Sequence, residues 1–136
     1  MNDKETIKQS LEIITKDSIF SIKKIMCDEK GFGNIYIEIS SEDKVEIHFT
    51  MDRGIFWCEI GKVNQLYFIE DVFCVLHIKF SNESVEFLDY IKQVLKALEH
   101  NMEKLLNAFQ DSNIEDTKLK IKKISTERVR KMFDLA

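Results

Sequence analysis

Seven apolar side chains, Leu88, Ile91, Leu95, Leu98, Met102, Leu105 and Phe109, recur at alternating intervals of three and four residues. At 3.6 residues per turn this spacing stacks them along one side of a helix. No glycine or proline interrupts the stretch from Glu83 to Gln110, and Ser81 or Asn82 can cap its start. The pattern predicts one long helix, of about seven to eight turns. A seam this regular could zip two copies of the chain into a homodimer over residues 85–110. Phe87, Tyr90, Val94 and Leu106 widen the apolar band, however, which suits a helix lying across the chain's own sheet.

A sheet is written just upstream. Ile35, Ile37 and Ile39 alternate with Tyr36, Glu38 and Ser40, and Val45, Ile47, Phe49 and Met51 alternate with Glu46, His48 and Thr50. Period-two alternation among β-branched and aromatic residues marks strands with one buried face. Ser41-Glu42-Asp43 and Asp52-Arg53-Gly54 supply turns, and Ile55–Gly61 is a third strand of the meander. Ile19–Cys27 reads as a further strand, ahead of a loop at Gly31–Asn34. A helix near the N-terminus, capped by Asn2 or Asp3 and followed by Glu5, carries Ile7, Leu11 and Ile14 and ends near Asp17. Leu66–Phe80 suits either strand or helix. Glu70 and Asp71 favour a helix beginning at Ile69, because acidic groups complement a helix N-terminus.

After Asp111-Ser112-Asn113 breaks the long helix, Leu119, Ile121 and Ile124 lie among lysines as they would in an edge strand, or on a solvated helix face. Thr126 would then cap a short last helix carrying Val129, Met132 and Phe133. The expected fold class is α+β: an antiparallel meander of three to five strands packed on helices, including one long helix in the C-terminal half. At 136 residues the chain suits a single domain spanning 1–136.

Composition closes several doors. No apolar run reaches the ~20 residues a membrane span needs. The polar start is neither a signal peptide nor an anchor, so a cytoplasmic protein is expected. Three cysteines, Cys27, Cys58 and Cys74, form no C-x-x-C pair, which argues against a disulfide framework or a cysteine zinc site. No two of His48, His77 and His100 stand at helical metal-ligand spacing, and no phosphate loop or nucleophile elbow is present. No catalytic residue, cofactor or metal is expected, and an enzyme is the least favoured class.

What remains is a contact face. If Arg53-Gly54 is a two-residue turn, Trp57 lies beside Thr50 and Glu59 beside His48, while Phe56, Cys58 and Ile60 join the apolar side. A three-residue turn would drive Glu59 into the core, and burying an unpaired carboxylate costs several kcal/mol. Pairing Ser40 with Lys44 would set Glu38 opposite Glu46 and Tyr36 opposite His48. One face then carries Tyr36, Glu38, Glu46, His48, Trp57 and Glu59, an acidic patch with aromatic anchors suited to a basic protein partner. The plainer reading is the solvated side of a meander.

Charge supports the first option. Residues 1–110 hold 13 basic and 19 acidic side chains, so the body is acidic, whereas residues 111–136 hold 7 and 5. Lys118–Lys131 could track phosphates, which leaves nucleic acid as an alternative but disfavoured partner.

The run from Val45 to Gly61, VEIHFTMDRGIFWCEIG, followed after a short spacer by YFIEDV at Tyr67–Val72, resembles small immunity proteins of bacterial polymorphic-toxin systems. The resemblance covers about a fifth of the chain and carries over no functional residues. It implies a cytosolic, non-enzymatic protein that binds and blocks a cognate toxin.

Overall fold

A computed structural model describes residues 4–28, 33–42, 44–62, 65–81 and 86–134. The order of elements is α1 (Lys4–Thr15), β1 (Phe20–Cys27), β2 (Ile35–Ser41), β3 (Glu46–Asp52), β4 (Ile55–Lys62), β5 (Gln65–Phe68), α2 (Ile69–Val75), α3 (Phe87–His100), α4 (Met102–Ala108) and α5 (Ile114–Asp134). The five strands form one antiparallel sheet in sequence order, and the α+β class is as expected.

The inward rows of the meander follow the sequence alternation. Ile35, Ile37, Ile39, Val45, Ile47, Phe49, Cys58 and Ile60 are all buried. Against this inner face α3 lays its rings: Tyr90 meets Phe49 edge-on at 6.1 Å and tilts over Phe56 at 4.9 Å, and Phe87 meets Phe56 at 5.7 Å. Such pairs add about 0.5–1.5 kcal/mol each beyond the area they bury. Ile7 and Leu11 of α1 complete the same core.

Two hairpin turns set the register. Arg53 and Gly54 both adopt positive φ, 54° and 83°, which is the two-residue turn whose twist matches its strands. It pairs Thr50 with Trp57 and His48 with Glu59, as expected. The preceding turn differs from expectation. Lys44 adopts φ 65° and joins the loop, while Ser41 closes the ladder by donating its amide to Val45 O at 3.0 Å. Pairing therefore slips by two residues, setting Glu38 opposite His48 and Tyr36 opposite Thr50 instead of Glu38 opposite Glu46 and Tyr36 opposite His48. An even slip preserves every inward and outward assignment.

The helices differ more. Of the expected single helix over 83–110, residues 83–85 and the Asn82 cap lie outside the described residues; the rest holds two helices, α3 and α4, divided at Asn101, whose backbone leaves the helical region at φ −121° and ψ 20°. The Asn101 side chain donates to Ala97 O at 2.8 Å, satisfying a carbonyl freed by the break. The seam survives the kink: Ile91, Leu95, Leu98, Leu105 and Phe109 are buried within this chain. Ile69 does open a helix, α2, and residues 65–68 before it are the short β5.

The last segment is a correction. Of the two readings of residues 118–124, the helix face holds and the edge strand does not, and no separate short helix follows, because α5 runs unbroken through Thr126. Thr117 and Ile121 are buried at an interval of four, and Ile114 continues the stripe three residues earlier, whereas Leu119 is 66% exposed. Thr117 Oγ1 donates to Ala108 O at 2.7 Å and pins the new helix to the end of α4. Glu115 and Asp116 sit in its first turn and pair with Lys118 and Lys120 one turn on. Among the described residues, no helix is long and apolar enough to cross a membrane.

Candidate functional site

The outer face of the sheet is organised in cross-strand rows. One runs Met26, Tyr36, Thr50, Trp57; the next runs Lys24, Glu38, His48, Glu59, Phe68; the third runs Ser21, Ser40, Glu46, Gly61, Leu66. All six residues expected to share a face, Tyr36, Glu38, Glu46, His48, Trp57 and Glu59, do share it. The Trp57 indole is half-buried on this side, away from Ile47, Phe49 and the helices behind them.

The middle of the face is a polar network. Tyr36 Oη and His48 Nδ1 are hydrogen-bonded at 2.8 Å, with the two rings edge to face. The other ring nitrogen, Nε2, faces two carboxylates, 3.8 Å from Glu38 Oε1 and 3.6 Å from Glu46 Oε1. These gaps exceed hydrogen-bond length, and Nε2 is sealed from solvent with no hydrogen-bond partner among the described residues. Burial, then the Glu38 charge, pushes the Tyr36 phenol up to about 12. At neutral pH it is therefore a neutral hydroxyl.

Glu46 departs from expectation. It was expected on an exposed patch, yet it is only 6% exposed. Lys23 explains why the charge is tolerated: its Nζ reaches across the neighbouring strand to Glu46 Oε1 at 2.9 Å. A hydrogen bond to Glu46 raises the lysine's pKa above its ordinary value, so the cation persists at neutral pH. Lys23 owes this reach to a β-bulge between Ile22 and Lys24, which leaves it unpaired in the ladder. Sequence reasoning placed lysines in this strand but missed their part in the site. The signal was there: Ile22 and Ile25 both belong on the inner face, and an interval of three breaks the two-residue alternation.

With Lys23 and Lys24 beside it, the face is less acidic than its glutamates suggest. Glu38 and Glu59, both half-buried, remain the carboxylates nearest its open part. At the β5 margin, Glu59, Leu66 and Phe68 form one wall of a groove of about 440 Å³, and Lys118, Ile121 and Lys122 of α5 form the other. Arg128 anchors this helix by donating to the buried Asp71 at 2.8 Å, and its guanidinium lies 5.4 Å from the Phe68 ring centre. No family model, no curated protein and no solved structure matches this chain.

Proposed function

We propose that the chain is a small cytoplasmic binding protein that docks a partner protein on the outer face of its sheet. The observation that carries this reading is the row Tyr36–Thr50–Trp57, two half-buried aromatics flanking a hydroxyl across three adjacent strands. Rigid aromatics on a sheet lose little side-chain freedom on contact, and Tyr and Trp dominate binding energy at protein interfaces. Glu38 and Glu59 border the row and, with the acidic balance of residues 1–110, favour a basic partner. Glu46 serves the face from within, held by Lys23, instead of meeting the partner. The resemblance of Val45–Val72 to immunity proteins of bacterial toxin systems makes a basic toxin domain the partner of choice, and inhibition by occlusion the mode of action.

The test is calorimetry with the product of a neighbouring reading frame carrying a toxin-like C-terminal domain. Trp57→Ala is expected to weaken binding by about 30-fold, the loss typical of an interface anchor. Glu38→Lys with Glu59→Lys should weaken it more at low salt than at high salt. Unchanged affinity in both variants would reject this placement.

A second reading rests on α5, whose exposed side carries Lys122, Lys123 and Arg130 around Leu119 and Thr126 in a shallow depression. It predicts salt-sensitive retention on nucleic acid, abolished by charge reversal at those three residues. No retention at low salt would end it.

A further inference from the structure

The register of β2 and β3 brings His48 between two glutamates that sequence alone had set opposite each other. Glu38 is its cross-strand partner and Glu46 lies two residues away on its own strand. One donor atom from each of Glu38, Glu46 and His48 lies within 4.8 Å of the others. We propose that these three residues form a binding site for a borderline divalent transition ion of the zinc class, ligated by His48 Nε2 and one oxygen of each glutamate.

The two separations from His48 Nε2 suit such an ion. Metal–nitrogen and metal–oxygen bonds of about 2.0–2.2 Å in a tetrahedron separate neighbouring ligand atoms by about 3.4 Å. The observed 3.6 and 3.8 Å from Nε2 to the two carboxylates exceed this by only a few tenths of an ångström. They are too long for hydrogen bonds and close to right for two ligands sharing a cation. The ring is also held as a ligand would be. Its far nitrogen is hydrogen-bonded to Tyr36 at 2.8 Å, and such an outer partner fixes the tautomer and the orientation of a metal-binding imidazole. In the tautomer that donates Nδ1–H to the phenol oxygen, Nε2 presents its lone pair to the same space as the carboxylates. That nitrogen is sealed from water and unpaired among the described residues, and an ion placed between it and the two carboxylates would meet all three donors.

Ligand chemistry narrows the ion. One imidazole and two carboxylates suit zinc-class ions, whereas magnesium and calcium call for six or more oxygens. Lys23 is the built-in competitor. It already holds Glu46 Oε1, but its side chain is 46% exposed and can swing into water when a divalent ion arrives.

The experiment titrates the full, chelator-stripped chain with Zn2+ by calorimetry and with Co2+ by visible absorption, using Mg2+ as control. One equivalent of Zn2+ is expected to bind at micromolar concentration, with no response to Mg2+. His48→Ala and Glu38→Gln should each weaken binding by at least about tenfold, and Tyr36→Phe by about tenfold through the freed ring. Lys23→Met should tighten it. Cys74→Ser should leave it unchanged, which separates this site from the exposed thiol of α2. Zn2+ should also raise the melting temperature of the wild type and not of the Glu38→Gln variant. Absence of Zn2+ binding, or binding undiminished in Glu38→Gln, overturns the proposal. Glu38→Gln is isosteric on a partly exposed face, so it decides the matter even if His48→Ala fails to fold. No partner protein enters the measurement, so this site and the docking face stand or fall separately.

Discussion

Replacing Gly61 by alanine tests how tightly the last strand is laid against the sheet. Gly61 is buried in β4, and a Cβ built on it would lie 2.1 Å from the backbone oxygen of Gln65, 3.1 Å from Gln65 C and 3.2 Å from Leu66 Cα. Close carbon–oxygen contacts in sheets sit near 3.3 Å, so an overlap of about 1 Å must be relieved. The obstacle is backbone, so relief means pushing β5 away from β4. That weakens the pairs Gly61↔Leu66 and Lys62↔Gln65 and loosens Tyr67 from its stack on Phe109. Two ladder hydrogen bonds at about 0.5–1.5 kcal/mol each, with overpacking strain of about 1–3 kcal/mol, give an expected loss of about 2–6 kcal/mol. Urea unfolding measures the total, and amide exchange at Leu66–Phe68 shows whether the loss begins at β5. Gly54→Ala is the contrast: nothing lies within 4 Å, but its φ of 83° imposes a conformational cost of about 1–2 kcal/mol. A Gly61→Ala protein within about 0.5 kcal/mol of wild type, with β5 amides equally protected, would refute the steric reasoning.

Two further outcomes follow from burial. In a thiol-reactivity assay on the native chain, exposed Cys74 should react promptly, while Cys58 should react only as fast as the chain unfolds, because burial both shields it and pushes its thiol well above the usual range. Prompt labelling of Cys58 would show that the inner face is open. Asp71 has its pKa raised by burial, partly countered by Arg128, so the folded state holds this proton more tightly than the unfolded chain. Its contribution is fully present below the ordinary aspartate value and is lost as pH rises through the raised folded value. Across that window wild type should therefore lose stability relative to Asp71→Asn as pH rises; a pH-independent difference in urea midpoints would contradict it.

How much of this was legible depends on where the information is stored. The inner face could be read because Ile35, Ile37, Ile39, Ile47 and Phe49 each occupy the parity their burial demands. The Arg53-Gly54 turn could be read because its alternative would have buried Glu59. The neighbouring turn could not, since a lysine gives no local sign that it will adopt positive φ, as Lys44 does. The last helix was only half legible for a related reason. Its packed stripe passes through Thr117, and Arg128 ties the same helix to Asp71, so a count of apolar residues sees only Leu119, Ile121 and Ile124 and does not separate an edge strand from a helix face. At the outer face, the membership of Tyr36, Glu38, His48 and Trp57 followed from alternation alone. The meeting of Glu38 with His48, and of Lys23 with Glu46, depended on a two-residue slip and a bulge, both of which arise from turn and ladder geometry.

The bulge has a consequence beyond the site it serves. As an outer strand, β1 would ordinarily offer a row of backbone groups to any extended chain passing by. Lys23 interrupts the repeat and Lys24 follows directly, so an incoming strand would meet a kinked ladder and two adjacent cations. At the opposite margin β5 is only four residues long and flanked by α5. The sheet is thus capped against growth on both sides, and filament-like stacking of copies strand to strand is disfavoured even where the chain is concentrated.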